Sequence, residues 1–185
     1  MSYDPIGRLL LTPVDRDAPD RVRRLRLLGV GLGLGLGERP EPAFDAFALH
    51  LAQLAGTPYA MVNFMDEQRQ FYAGLHTPAP EPGRFRDRDH GYCPHVVVRR
   101  KALVLEDVRD FPRFAGNAIV DETGLRSYLG VPLIDRTGIA LGTVCVVDNQ
   151  PRHWGRAGLE TVKSLAAELS EQIHRREGGR EDGGI

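Results

Sequence analysis

Cysteine is scarce in this chain: 185 residues hold two, Cys93 and Cys145. Two thiols cannot build a disulfide scaffold, and such usage is expected in a reducing compartment. Net charge is nearly absent too. Against 24 Lys and Arg stand 25 Asp and Glu, for a formal charge of −1. That balance leaves no electrostatic footprint for nucleic acid. No apolar run approaches the length of a membrane span. The N-terminus, MSYDPIGRLL, lacks the apolar stretch of a signal peptide. Together these absences predict a soluble, cytoplasmic protein with neither a nucleic-acid nor a membrane partner.

Paired metal-ligand spacings are also missing. The stretch DRDHGYCPHVV gathers His90, Cys93 and His95, with His76 as the nearest candidate for a fourth ligand. Zinc sites fix three or four ligands through paired short spacings. The chain has no second Cys-x-x-Cys or His-x-x-x-His, so no metal is expected. The glycine-rich run GVGLGLGLGERP has neither the G-x-G-x-x-G spacing nor a Gly-Lys-Ser/Thr, and it follows a helix rather than a strand. It reads as a linker whose leucines tuck against the core. The basic clusters RVRRLR (Arg21 to Arg26) and Arg99-Arg100-Lys101 read as solvated faces.

What is present is periodicity. The length suits one domain, able to bury most of the surface its unfolded chain exposes. The expected organisation is a flexible arm over 1–17, one domain over 18–176 and a disordered tail over 177–185. A helix is predicted from Pro19 to about Leu28, with Val22, Leu25 and Leu28 at helical spacing. A second runs from Pro42 to Leu54, with Phe44, Phe47, Leu51 and Leu54 as its apolar stripe. The segments YAMVNFMD and RQFYAGLH then read as a hairpin. The polar loop TPAPEPGRFRDRD is long enough to suggest a mobile cover. A short strand ALVLED and an irregular stretch of turns and short helices follow. RSYLGVPLID and GIALGTVCVVD form a second hairpin, turning at Asp135 to Gly138. Pro132 must sit at an edge, a strand end or a bulge, because it has no N–H. Leu159, Val162, Ala166, Leu169 and Ile173 give the last helix, Arg156 to Arg175, a seam. Adjacent hairpins flanked by helices make an antiparallel, α+β fold.

The ordered set YAMVNFMDEQRQFYAGL, LVLEDVRDFPRFAGN, LRSYLGVPLID and GIALGTVCVVDNQPRHW resembles the GAF domain family, over roughly Phe44 to Ile173. The resemblance implies a central antiparallel sheet of five or six strands. The N- and C-terminal helices lie on one face. Short helices and loops on the other roof a ligand pocket. For CPHVVV the residues themselves are divided. Three valines favour a strand, whereas the family has a short helix there and Pro94 suits its first turn; the helix is the expectation.

The resemblance places the pocket candidates at Cys93, His95, Phe111, Phe114, Asn117, Arg126 and Tyr128. For Phe111 and Phe114 the competing role is core packing, and Arg126 has Asp107 as a candidate partner. Some members reduce free methionine sulfoxide with several clustered cysteines; here Cys145 lies in an apolar strand and reads as core. Bilin-attaching members have a Cys-His pair, unlike Cys93-Pro94-His95, so that role is not carried over. Asn117, Asp121 and Glu122 resemble part of the cyclic-nucleotide pattern, but Ala118 stands where that pattern has Lys. The expectation is a stand-alone, non-catalytic sensory module in signal transduction. It would bind a small molecule of unknown identity, a signalling partner, or both, and form a homodimer through its first and last helices. The alternative is a small thiol-dependent redox enzyme using Cys93.

Overall fold

A computed structural model describes residues 12–30, 41–78 and 83–181, with the side chains of the last helix described to Arg175. Six antiparallel strands form one sheet in the order β3-β2-β1-β6-β5-β4. They are β1 (Tyr59–Met65), β2 (Arg69–His76), β3 (Phe85–Asp87), β4 (Leu103–Leu105), β5 (Ser127–Ile134) and β6 (Ala140–Asp148). Both predicted hairpins are present, β1 with β2 and β5 with β6. Asp66 closes the first, its carboxylate accepting from the Gln68 and Arg69 N–H groups at 2.7 Å each. Asp135 closes the second, accepting from the Thr137 and Ile139 N–H groups, while Gly138 takes the left-handed φ of 83° that the turn requires.

Two layers of core follow from strand alternation. Ala60, Val62 and Phe64 of β1 and Val144 and Val146 of β6 point to one face, with Leu129, Val131 and Leu133 of β5. That face is covered by α1 (Ala18–Leu28), α2 (Pro42–Ala55) and α6 (Gly155–Glu181). Cys145, Val147 and Tyr128 point to the other face. It is covered by α3 (Cys93–Arg99), a 3-10 turn at Val108–Asp110, α4 (Pro112–Ala115) and α5 (Ala118–Thr123). Every residue of β6 is buried, as expected for a strand covered on both faces. A Cβ at Gly142 would lie 1.8 Å from the Asn63 carbonyl oxygen, so only glycine lets β6 approach β1 there.

Several boundaries and faces differ from the sequence expectations. Within the loop read as a mobile cover, Phe85–Asp87 pairs with β2 as an edge strand; residues 79–82 lie outside the described residues. The stripe of α2 is Phe44, Ala48, Leu51 and Ala52, whereas Leu54 is 54% exposed. Small alanines let α2 lie close to the sheet, which rotates Leu54 outward. Arg21 is not on a solvated face: it is 1% exposed and donates to the Met65 and Ala140 carbonyls. It also pairs with Asp15, so residues 12–17 are anchored to the domain; residues 1–11 lie outside the described residues. Arg24 reaches Asp135 at 2.5 Å. Of the glycine-rich run, Gly29 ends α1 and Val30 is buried, and residues 31–40 lie outside the described residues.

The segment CPHVVV is helix α3, where burial of Val96 and Val97 overrides the β preference of valine. Arg100 ends it at a φ of 51°, and its guanidinium meets Asp17 at 2.6 Å. Pro132 faces no strand beyond β5, because β4 pairs only with Tyr128 to Gly130. The seam of α6 (Val162, Leu165, Ala166, Leu169, Ile173) lies in the core. The helix itself runs on to Glu181, past the expected end at Arg175 and into the segment expected to be tail.

Candidate functional site

Between α5 and the strands below it lies a cavity of about 270 Å³. Its apolar wall comes from Tyr59 and Met61 of β1, Tyr72 and Leu75 of β2, Val147 of β6, and Ile119 and Leu125. The polar rim is Thr77, Arg86, His90, Thr123 and Asn149. A register shift between Val62 and Asn63 in the pairing of β1 with β2 puts Tyr72 opposite Asn63 and Gly74 opposite Val62. This extra residue in β2 lets Tyr72 and Leu75, three apart, share the pocket face.

The rim is held by a buried amide relay. Asn63 donates to the Gln70 side-chain oxygen at 2.8 Å. The Gln70 amide nitrogen faces the carbonyls of Asp87, Arg88 and His90 at 2.7 to 3.0 Å. That ties the 87–90 turn to the sheet and presents His90 to the cavity. His90 Nε2 meets Glu122 at 2.7 Å, while Nδ1 is buried with no partner among the described residues. The Arg86 guanidinium lies 5.7 Å from the centroid of the Tyr72 ring. An apolar wall with a few convergent polar groups is the usual composition of a small-molecule site, and this one lies just below the usual size range.

Beside this cavity, under α3, lies a buried cluster of sulfur and phenol groups. Cys93 Sγ is 3.9 Å from Cys145 Sγ and 3.5 Å from the Tyr128 hydroxyl. Hydrogen bonding from Cys145 holds the Cys93 thiol below its ordinary range against the opposing effect of burial, helped by Thr143, Tyr128 and Asn63. The same interaction, with burial, pushes Cys145 well above it. The pair thus loses its first proton from Cys93. Burial raises the Tyr72 and Tyr128 phenols, so both stay protonated at neutral pH.

The seven sequence candidates are dispersed over this layer, and none lines the cavity. Cys93, Phe114 and Tyr128 share the buried cluster with Tyr92. His95 is 1% exposed and packs edge-on against Phe114, with centroids 5.2 Å apart. Burial, then repulsion from Arg113, lowers its pKa to about 4. Asn117 accepts from the Gly91 and Ile119 N–H groups and donates to the Gly91 carbonyl, so its amide is engaged in capping α5 and fastening the turn before α3. Phe111 is 39% exposed at the surface. Arg126 is committed to Asp107, as the sequence suggested. The residues that do line the cavity carry one legible signal, the Tyr59 and Met61 alternation in β1. No cluster of His, Cys, Asp and Glu among the described residues has the arrangement of a metal site, since His90, Cys93 and His95 turn to three different neighbours.

Comparison with known proteins fits this geometry. The family model for the GAF domain matches residues 39–173, and the chain belongs to the GAF domain family. A cyclic di-GMP phosphodiesterase of Pseudomonas aeruginosa is 30% identical over 119 residues, 62% of this chain. The match spans 19% of that protein, about a fifth of its length. Among solved structures, the GAF domain of an Acinetobacter phosphoenolpyruvate-protein phosphotransferase aligns with a TM-score of 0.60 at 20% identity, covering 91% of this chain and 99% of that one. A free methionine-R-sulfoxide reductase of Neisseria meningitidis aligns at 0.62 and 14%, covering 97% and 96%. The blue-light absorbing PixJ GAF domain of Thermosynechococcus elongatus aligns at 0.61 and 14%, covering 92% and 95%. Identities this low establish the fold they share. No helix among the described residues is long and apolar enough to cross a membrane.

Proposed function

We propose that this chain is a non-catalytic sensory domain that binds a small molecule in the cavity under α5 and passes its occupancy to a signalling partner. The observation that carries this reading is the cavity itself: an apolar wall from three strands, with Thr77, Arg86, His90, Thr123 and Asn149 on its rim. The ligand it suits has an apolar body and polar groups that meet that rim. The family membership and the similarity to part of a cyclic di-GMP phosphodiesterase support a signalling role. The test is native mass spectrometry of the chain purified from its own host, beside Ile119→Trp, which fills the cavity. A small molecule held by the wild type and lost from the variant is expected. Ligand-free chains in both would overturn the reading.

Homodimer formation is part of the same proposal. Because the α6 seam is buried in its own core, the apolar groups that support association are Leu27 on α1 and Leu49 and Leu54 on α2, each more than 40% exposed. Sedimentation at micromolar concentration should show a dimer that Leu27→Glu weakens; monomer alone in the wild type would refute it. A second reading, thiol catalysis, is favoured by the 3.9 Å approach of the two sulfurs. Against it, neither sulfur lines the cavity, so a substrate there would not touch them. Turnover of free methionine sulfoxide that Cys93→Ser abolishes would establish catalysis instead.

A further inference from the structure

The two cysteines come from distant parts of the chain, 52 positions apart, yet meet under α3. Their partners are arranged unequally. Thr143 and Tyr128 serve both sulfurs, whereas Asn63 adds to Cys93 alone, and Cys93 keeps 6% of its surface exposed while Cys145 keeps none. A disulfide bond is about 2 Å long, so the sulfurs must approach by roughly another 2 Å to bond. Cys145 is fixed in the central strand β6, hydrogen-bonded on both sides. Cys93 opens a seven-residue helix that lies on the sheet and is not part of it. The approach therefore requires a small shift of α3 and side-chain rotation, leaving the sheet unchanged. Neither sulfur reaches the cavity.

We propose that Cys93 and Cys145 are a redox modification site, closing to a reversible intramolecular disulfide when the chain meets a peroxide. In the first step the Cys93 thiolate attacks the peroxide O–O bond. A sulfur–oxygen bond forms, the O–O bond breaks, and the departing hydroxide takes a proton to become water. Cys93 is then a sulfenic acid. In the second step Cys145 gives up its proton, and its sulfur attacks the Cys93 sulfur. The S–O bond breaks and the oxygen leaves as a second water. Two thiols are oxidised by two electrons and one peroxide is reduced. Accessibility and charge set the order: both thiols are buried, but the Cys93 thiolate keeps 6% of its surface exposed and reacts first, and Cys145, with none, resolves it.

The test uses the full, reduced chain and hydrogen peroxide in small molar excess, followed by unfolding in the presence of an alkylating agent and intact-mass measurement. The expected product is a monomer lighter by two hydrogens. Neither cysteine is alkylated, a proteolytic peptide links Cys93 to Cys145, and dithiothreitol restores both thiols. Cys145→Ala should instead accumulate a sulfenic acid at Cys93, trapped by dimedone. Two free thiols after peroxide, a higher oxide of Cys93, or only cross-linked dimers in the wild type would each overturn the proposal. The wild-type measurement decides it even if the alanine variant does not fold.

Discussion

Replacing Arg21 with methionine is expected to destabilise the fold by about 3–5 kcal/mol, because it removes one partner of a buried ion pair. The side chain is 1% exposed. Its Nε donates to the Met65 carbonyl at 2.9 Å and one Nη to the Ala140 carbonyl at 3.3 Å. The other Nη pairs with Asp15, whose side chain is 5% exposed. Methionine preserves the volume, so little of the loss comes from a cavity. What remains is a buried carboxylate without its cation and two carbonyls, at the end of β1 and the start of β6, without this donor. The loss should lower the melting temperature by roughly 6–20 °C. Trp154, the only tryptophan, is 8% exposed in the core and reports unfolding in guanidinium by fluorescence. Asp15→Asn added to Arg21→Met should recover part of the loss, since it neutralises the stranded charge. A loss below about 1 kcal/mol, the value of an exposed pair, would refute the claim that this arginine joins α1 to the two strands.

Gly142→Ala should cost about 3 kcal/mol or more, since its methyl would meet backbone of β1 at 1.8 Å; chemical denaturation measures it, and a neutral result would mean the strands can separate there. His95 makes stability acid-sensitive. Its folded pKa of about 4 lies below the ordinary 6.5, so the unfolded state binds the proton first. The stability is fully present above about 6.5 and falls on the order of 3 kcal/mol as pH drops to about 4. His95→Phe should flatten that part of the pH–stability curve, and equal slopes in both proteins would contradict it. Asn117→Ala should lose about 1–3 kcal/mol and weaken ligand retention as well, by freeing the α5 roof from Gly91; unchanged hydrogen exchange in α5 would count against this.

The hairpins were legible because each alternates across two buried faces and each turn carries an aspartate. The helical form of CPHVVV was legible through the family resemblance and Pro94 at its first turn, against the strand preference of three valines. Strand β3 escaped because three residues of a charged edge, Phe85–Asp87, carry no period of their own. Arg21 escaped because charge alone says nothing about burial when the partners, Asp15 and two carbonyls, come from elsewhere in the chain. The cavity was the least legible part. Its wall is set by strand register, and the register shift at Val62 and Asn63 moves the β2 side chains between faces in a way that periodicity does not encode. Sequence proximity singled out Cys93 and His95, whereas pairing in the sheet brought Cys145 under Cys93 and turned His95 toward Phe114.

Both margins of the sheet end in strands of only three residues, β3 and β4. Another chain aligning with either margin would find few free backbone groups in register, on one side beside charged Arg86 and Asp87. Among the described residues these short margins, with Pro132 withholding an N–H where β5 runs on past β4, offer a poor template for strand addition and favour self-association through side-chain contacts over fibre-like stacking.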